Sequence, residues 1–244
     1  MNQHPILITI PHCSFFVPVE LRRLMCLTDF DIKAHSDLFT DQIFDVPAAH
    51  LVKAKISRLV ADPNRAPDDI LMESHLSADG VVVSVTEDGK PIYREPPNEA
   101  MIRERVAKYH LGFHEEVDQL APRMKFLIDG HSLKSRGSKM KDDAGQQRAD
   151  IVLGNRDYTT CDRQTTVKIY RFFQERGFSV KVNDPYSGKY VIGHHCSRRK
   201  LPGIQVEVNR KLYMNEKTLR RSPTKIKQLN EVMKALVEAL AKEL

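Results

Sequence analysis

The sequence predicts an α/β fold built as one domain, from three observations. Short apolar runs of strand length stop abruptly in polar residues, as where Phe126-Leu-Ile128 gives way to Asp129-Gly-His-Ser132. A strand–helix–strand succession spans 150–182. Amphipathic helical patterns at 98–120 and 224–243 carry apolar residues at the spacing that packs one face on a sheet. A length of 244 residues suits one large α/β domain better than two small ones.

The first strand is expected at 5–10, an apolar β-rich run that ends at Pro11-His12. Helical patterns follow at 18–25 and 36–46, with Ser36 or Asp37 available as N-cap of the second. Strands are expected at 51–55 and 58–61. Asp62-Pro-Asn-Arg-Ala-Pro67 then makes a rigid loop that carries Asn64 and Arg65. Residues 80–86 and 91–93 read as a hairpin around the turn Glu87-Asp-Gly-Lys90. The helix at 98–120 bears His110 and His114 one turn apart. No Glu directly follows His110, so this is not the zincin pattern, and both read as structural or surface residues.

The central run Lys125-Phe-Leu-Ile128 is expected to end where Asp129-Gly130 begins, leaving His131 in the following loop. His12 and His131 thus each follow a strand, and ligands of open α/β sheets bind beyond the carboxyl ends of the strands. His131 is a natural metal ligand with Asp129 as a possible supporting partner. Residues 138–147 read as a mobile polar loop and 150–154 as a buried strand. Asp162 caps a helix at 163–176, Gly177 ends it, a strand follows at 178–182, and 183–196 reads as loop. In 203–210, Ile204, Val206 and Val208 alternate with Gln205, Glu207 and Asn209. A carboxylate in an apolar strand is costly unless paired or bound, which makes Glu207 a functional candidate.

No apolar run approaches the ~20 residues of a membrane span, and the N-terminus has no secretory pattern, so a cytoplasmic location is expected. Cys13, Cys26, Cys161 and Cys196 form no Cys-x-x-Cys pair and are read as free thiols. The net charge of +6 is dispersed. A basic mouth for a small acidic molecule explains it as well as nucleic acid does.

Taken together, the motifs resemble the N-formylglutamate amidohydrolase family. Pro11-His12 with Pro18, Ser36-Asp37, Ser57-Arg-Leu-Val-Ala-Asp-Pro-Asn-Arg65, Asp129-Gly-His-Ser132, Gly188 with His194, and Gln205-Val-Glu-Val-Asn-Arg-Lys-Leu-Tyr-Met214 follow the family's order over most of the chain. Departures include Cys13-Ser14 after His12, Pro63 and Ala66 around Asn64-Arg65, and Gly193 and Cys196 in the later loop. The resemblance implies a three-layer α/β/α domain with a mixed, mostly parallel sheet, phosphorylase/hydrolase-like and similar to the zinc exopeptidases.

It also implies Zn²⁺, or another divalent transition metal, held by His12, His131 and a carboxylate. Phe15 stands three residues after His12, so the carboxypeptidase His-x-x-Glu pair is absent. Asp37 is the chosen third ligand, with Asp129 and Asp62 as alternatives. Glu207 would be the general base, Arg58 or Arg136 the oxyanion donor, and Asn64 with Arg65 the grip on a substrate carboxylate. His194 would add to substrate binding, and Arg210 would bind a second carboxylate or pair with Glu207. The expected substrate is a small acidic N-acyl amino acid or a short peptide, with no membrane and no nucleic-acid partner expected. A zinc carboxypeptidase-like peptide hydrolase and a catalytically silent nucleic-acid-binding homologue are the alternatives.

Overall fold

The computed structural model of the chain describes residues 3–70 and 79–244. Its strands are β1 (Ile6–Ile10), β2 (His50–Lys53), β3 (Phe126–Leu133), β4 (Ile151–Gly154), β5 (Val180–Val182) and β6 (Gly203–Asn209), joined in the order β2-β1-β3-β6-β4-β5. Strands β2, β1, β3 and β6 are mutually parallel, while β4 runs antiparallel to β6 and parallel to β5. The sheet is therefore mixed and mostly parallel, as expected. Parallel strands are covered on both faces, which is why β1, Thr9 apart, and the start of β3 are apolar on both sides.

The helices are α1 (Val19–Arg22), α2 (Asp29–Ala34), α3 (Thr40–Ile43), α4 (Glu99–Arg105), α5 (Leu111–Leu120), α6 (Arg163–Gln174), α7 (Tyr190–Arg199) and α8 (Pro223–Ala241). On one face of the sheet Ile6, Ile8, Ile128, Ile204 and Val206 pack with Ile43 of α3, Phe173 of α6 and the apolar stripe of α8. On the other, Leu7, Val52 and Leu127 pack with Phe113 and Val117 of α5 and Val191 and Ile192 of α7. Each such side chain contributes about 1.5–3 kcal/mol of burial. A separate cluster of Met25, Val60, Val81, Val83, Ile92 and Ile102 supports the 81–93 excursion beside the sheet. A two-stranded ribbon, β7 (Met214–Asn215) with β8 (Arg220–Arg221), precedes α8.

Several local expectations change. Strand β3 does not stop at Asp129 but runs on to Leu133, so Asp129 and His131 lie within it. Gly130 does not mark a turn: a Cβ there would lie 2.8 Å from the Phe44 ring, which rests against the strand backbone. Residues 58–61 form a turn rather than a strand. Segment 36–46 is not one helix: Asp37 caps nothing, and α3 begins after Phe39, whose φ is +67°.

The 98–120 helix starts as expected at Asn98, whose side chain accepts from Met101 N at 3.0 Å. It is interrupted by a π-turn over Val106–His110. The 80–93 hairpin is reduced to an isolated bridge between Val85 and Pro91. Asp162 caps α6 as expected, accepting from Thr165 N at 2.8 Å. Region 183–196 contains most of α7, so His194 and His195 are helical. The four cysteines are free, and no helix among the described residues is long and apolar enough to cross a membrane.

Candidate functional site

Strand alternation builds the site. In β3 the side chains of Leu127, Asp129, His131 and Leu133 share a face, because successive residues of a strand point to opposite sides. Parallel pairing places Thr9 beside Asp129 and Glu207 beside His131. Thr9 Oγ1 donates to Asp129 Oδ1 at 2.7 Å, and Asp129 Oδ2 lies 2.9 Å from His131 Nε2. His12, just past the end of β1, brings its ring centroid within 4.8 Å of that of His131. Its Nε2 lies 2.7 Å from Asp62 Oδ1.

Asp37 completes the group. Its N–H donates to the His12 carbonyl at 2.8 Å. Its Oδ2 lies 3.5 Å from His12 Nδ1 and 3.3 Å from His131 Nδ1. Each Nε2 faces a carboxylate, and both Nδ1 atoms turn toward Asp37 Oδ2. The three groups lie within 4.8 Å of one another, all buried, and with each imidazole protonated at Nε2 they offer three electron pairs to one cation. A set of two imidazoles and one carboxylate, with a carboxylate behind each imidazole, fits a divalent transition metal. His12, Asp37 and His131 could thus hold a metal; Asp62 and Asp129, the alternative ligands, stand behind the histidines, Asp129 in the supporting place also expected for it.

The charges describe the site without a metal. Burial disfavours ionised Asp37, but His12, His131 and Arg210 outweigh it and hold the carboxyl well below its usual range. Burial likewise disfavours the His131 imidazolium, but the Asp129 carboxylate beside it outweighs that, so without a metal both ring nitrogens carry a proton, and a metal would replace the one on Nδ1.

Arg210 does not pair with Glu207. Its Nη2 donates to Asp37 Oδ1 at 3.0 Å, its Nε to Ser132 Oγ at 3.0 Å, and its remaining donors to the carbonyls of Ala34 and Ser36. It lines the cavity wall, but as a fastener of Asp37. Arg58 is held by Asp62, with Nη2 2.6 Å from Oδ2, and brings Nη1 within 3.3 Å of His12 Nδ1. Asn64 accepts from Val191 N at 2.9 Å and sets its Nδ2 3.3 Å from His131 Nε2. Arg65 lines the cavity and pairs with Asp79 at 2.7 Å.

Glu207 is buried, and its Oε1 accepts from Gln205 Nε2 at 2.9 Å. Its Oε2 and the Gln205 Oε1 have no hydrogen-bond partner. A buried acceptor without a donor is rare and marks a place where something else binds. Burial pushes the Glu207 carboxyl up to about 7.

The cavity these residues enclose, about 110 Å³, takes several waters or a small molecule in their place. Its wall also contains Lys134 and, without a signal in the sequence, Lys141, Arg148, Tyr186 and Lys189. Arg136 and His194 are not among the lining residues. Arg136 is exposed and donates to the Gly145 carbonyl. Arg148, from the same loop, reaches the cavity instead, gripped by Asp143 and stacked over Tyr186. His194 stacks on Tyr190 with centroids 4.8 Å apart.

The sequence model of the N-formylglutamate amidohydrolase family matches residues 4–214. The fold is shared with the crystal structure of N-formylglutamate amidohydrolase from Ralstonia eutropha JMP134, with a TM-score of 0.85 and 23% identity over 100% of this chain and 96% of that one. A gene product of Agrobacterium tumefaciens aligns with a TM-score of 0.71 and 20% identity, over 98% of this chain and 92% of that one. No curated protein matches in sequence. With the family's model matched along most of its length, the chain belongs to the N-formylglutamate amidohydrolase family.

Proposed function

We propose that this amidohydrolase-family protein cleaves the amide of a small acidic N-acyl amino acid, N-formylglutamate-like, to an acyl acid and a free amino acid, and that it requires Zn²⁺ or a similar divalent transition metal. One observation carries the reading. The donor set of His12, Asp37 and His131 lies beside a buried carboxylate, Glu207, whose Oε2 has no partner. When bound there, the metal would supply Lewis acidity toward the amide carbonyl and the attacking water.

The chain's own groups supply the rest. Glu207, held by Gln205 and raised toward neutrality by burial, takes a proton from water and delivers it to the leaving nitrogen as the C–N bond breaks. Asp62 and Asp129 hold the two imidazoles in the tautomer that turns Nδ1 inward. Arg58, at the wall beside His12, would stabilise the negative charge that develops on the carbonyl oxygen. Arg65, Lys141, Arg148 and Lys189 line the wall and favour a carboxylate-bearing substrate.

Elemental analysis of the purified protein and of His131→Ala tests the metal, and a panel of N-acyl amino acids that includes N-formylglutamate tests the substrate. The expected result is about one metal per chain, lost in the variant, with release of free amino acid by the wild type. Absence of metal after incubation with Zn²⁺, together with no hydrolysis, would overturn the proposal.

A further inference from the structure

The loop Asp62–Arg65 supplies three of the site's groups: Asp62 behind His12, Asn64 against His131, and Arg65 on the cavity wall. It has no place in the sheet, so something else must hold its backbone. The Asp62 N–H donates to the Val81 carbonyl at 2.7 Å, the Tyr190 N–H reaches the Asn64 carbonyl at 3.4 Å, and two histidines take the carbonyls of Pro63 and Arg65. His114 Nε2 lies 2.9 Å from the Pro63 carbonyl oxygen, and His110 Nε2 lies 2.9 Å from the Arg65 carbonyl oxygen. The rings lie 4.5 Å apart, one turn apart on the long helix, where the π-turn over Val106–His110 meets α5. Both are buried, and neither lines the cavity.

The hydrogen-bond directions are forced. A carbonyl oxygen only accepts, so Nε2 carries the proton in both rings. In His114, neutral because burial disfavours its charge, Nδ1 must then accept. His195 Nε2, 2.9 Å away and stacked ring on ring, is the donor. His195 Nδ1 lies 3.2 Å from Asp118 Oδ1. A line of hydrogen bonds thus runs from His195 on α7 through His114 to the backbone of the site loop. Histidines that merely filled space would need neither the shared direction nor two carbonyls of one loop.

We propose that His110 and His114 are positioning residues that clamp the Asp62–Arg65 backbone, thereby setting Asp62 and through it His12 for metal binding, with His195 fixing the tautomer of His114. The proposal rests on the metal-dependent reading above, and its test separates the two.

The test compares His114→Leu, which fills the space without a donor, with His114→Gln, which keeps an N–H near the position of Nε2. His110→Leu and His110→Gln form a second pair should the first fail to fold. Hydrogen exchange in metal-free protein reads the clamp, and Zn²⁺ affinity reads its consequence. In the Leu variants the Asn64 and Arg65 amides should exchange about tenfold faster, with β3 amides unchanged as a measure of global stability. Zn²⁺ should bind about 10- to 100-fold more weakly, and the Gln variants should recover most of both losses. Unchanged exchange at 64–65 would overturn the clamp. Faster exchange with wild-type Zn²⁺ affinity, or Gln variants no better than Leu, would overturn the positioning role. If the wild type itself binds no Zn²⁺, the metal reading fails, and the exchange data alone decide the clamp.

Discussion

His131 and Glu207 are register partners on adjacent parallel strands, β3 and β6, and both project from the same face of the sheet. A backbone ladder therefore sets the spacing between the candidate metal ligand and the candidate base, leaving little of it to side-chain freedom. Sites carried on strands hold their geometry better than sites carried on loops.

From this pairing, Glu207→Gln should keep its hydrogen bond with Gln205 and leave the donors His12, Asp37 and His131 in place. It should lower kcat by about 10²- to 10⁴-fold, the usual worth of a positioned general base, with metal content unchanged. Steady-state hydrolysis and elemental analysis of the same preparation check this. A variant with near-wild-type kcat would remove Glu207 from the chemistry.

The parts of this arrangement that the sequence exposes are those with a hydrophobic period. Strand β1, the alternation of β6, the capped helix α6 and the apolar stripe of α8 all have one, and all stand close to where they are expected. Strand β3 was cut short because Asp129 and His131 interrupt its apolar run. The cost of burying them is met by Thr9, Asp37 and each other, partners up to 120 residues away in sequence. Helix α7, among its described residues, buries only Val191, Ile192, His195 and Cys196, too short an apolar pattern, next to Gly193 and two histidines, to read as helix in the sequence. Arg136 and Arg148 belong to one polar loop, and nothing in their spacing tells which of them turns inward. Asp143 decides it by gripping Arg148. The roles of His110 and His114 depend on the carbonyls of a distant loop, which have no signature in the side-chain sequence.

Acid stability offers a check on a part of the fold away from the site. Asp31 forms a capping box with Thr28 at the start of α2 and pairs with Lys90 at 2.6 Å, tying α2 to the turn of the 81–93 excursion. Burial works against its charge, but the Lys90 ammonium and the Thr28 donors prevail and hold the carboxyl at about 2. A folded value below the unfolded one, about 3.9, means that ionised Asp31 stabilises the protein above about pH 4. That contribution disappears as pH falls through about 2. Asp31→Asn should therefore be less stable than wild type at pH 6, with a difference that shrinks between about pH 4 and pH 2. Urea unfolding midpoints across that range measure it. A difference independent of pH would refute the assignment.

Arg210 gives the strongest stability prediction, because it joins the fold to the site. Its guanidinium is buried and divides its donors among Asp37, Ser132 and the carbonyls of Ala34 and Ser36, so it fixes both the Asp37 side chain and the backbone leading into it. Removing one partner of a buried ion pair strands the other charge, and Arg210→Met should cost about 3–5 kcal/mol in metal-free protein. Arg210→Lys should recover only part of this, because an ammonium cannot reproduce the planar fork that reaches Asp37 and two carbonyls together. If Asp37 is also a metal ligand, Zn²⁺ neutralises the stranded carboxylate from its Oδ2 side. The destabilisation of Arg210→Met should then be smaller in saturating Zn²⁺ than in chelator, as read from urea unfolding under both conditions. An equal loss in both would mean that Asp37 gains nothing from the metal, and the third ligand would have to be sought elsewhere.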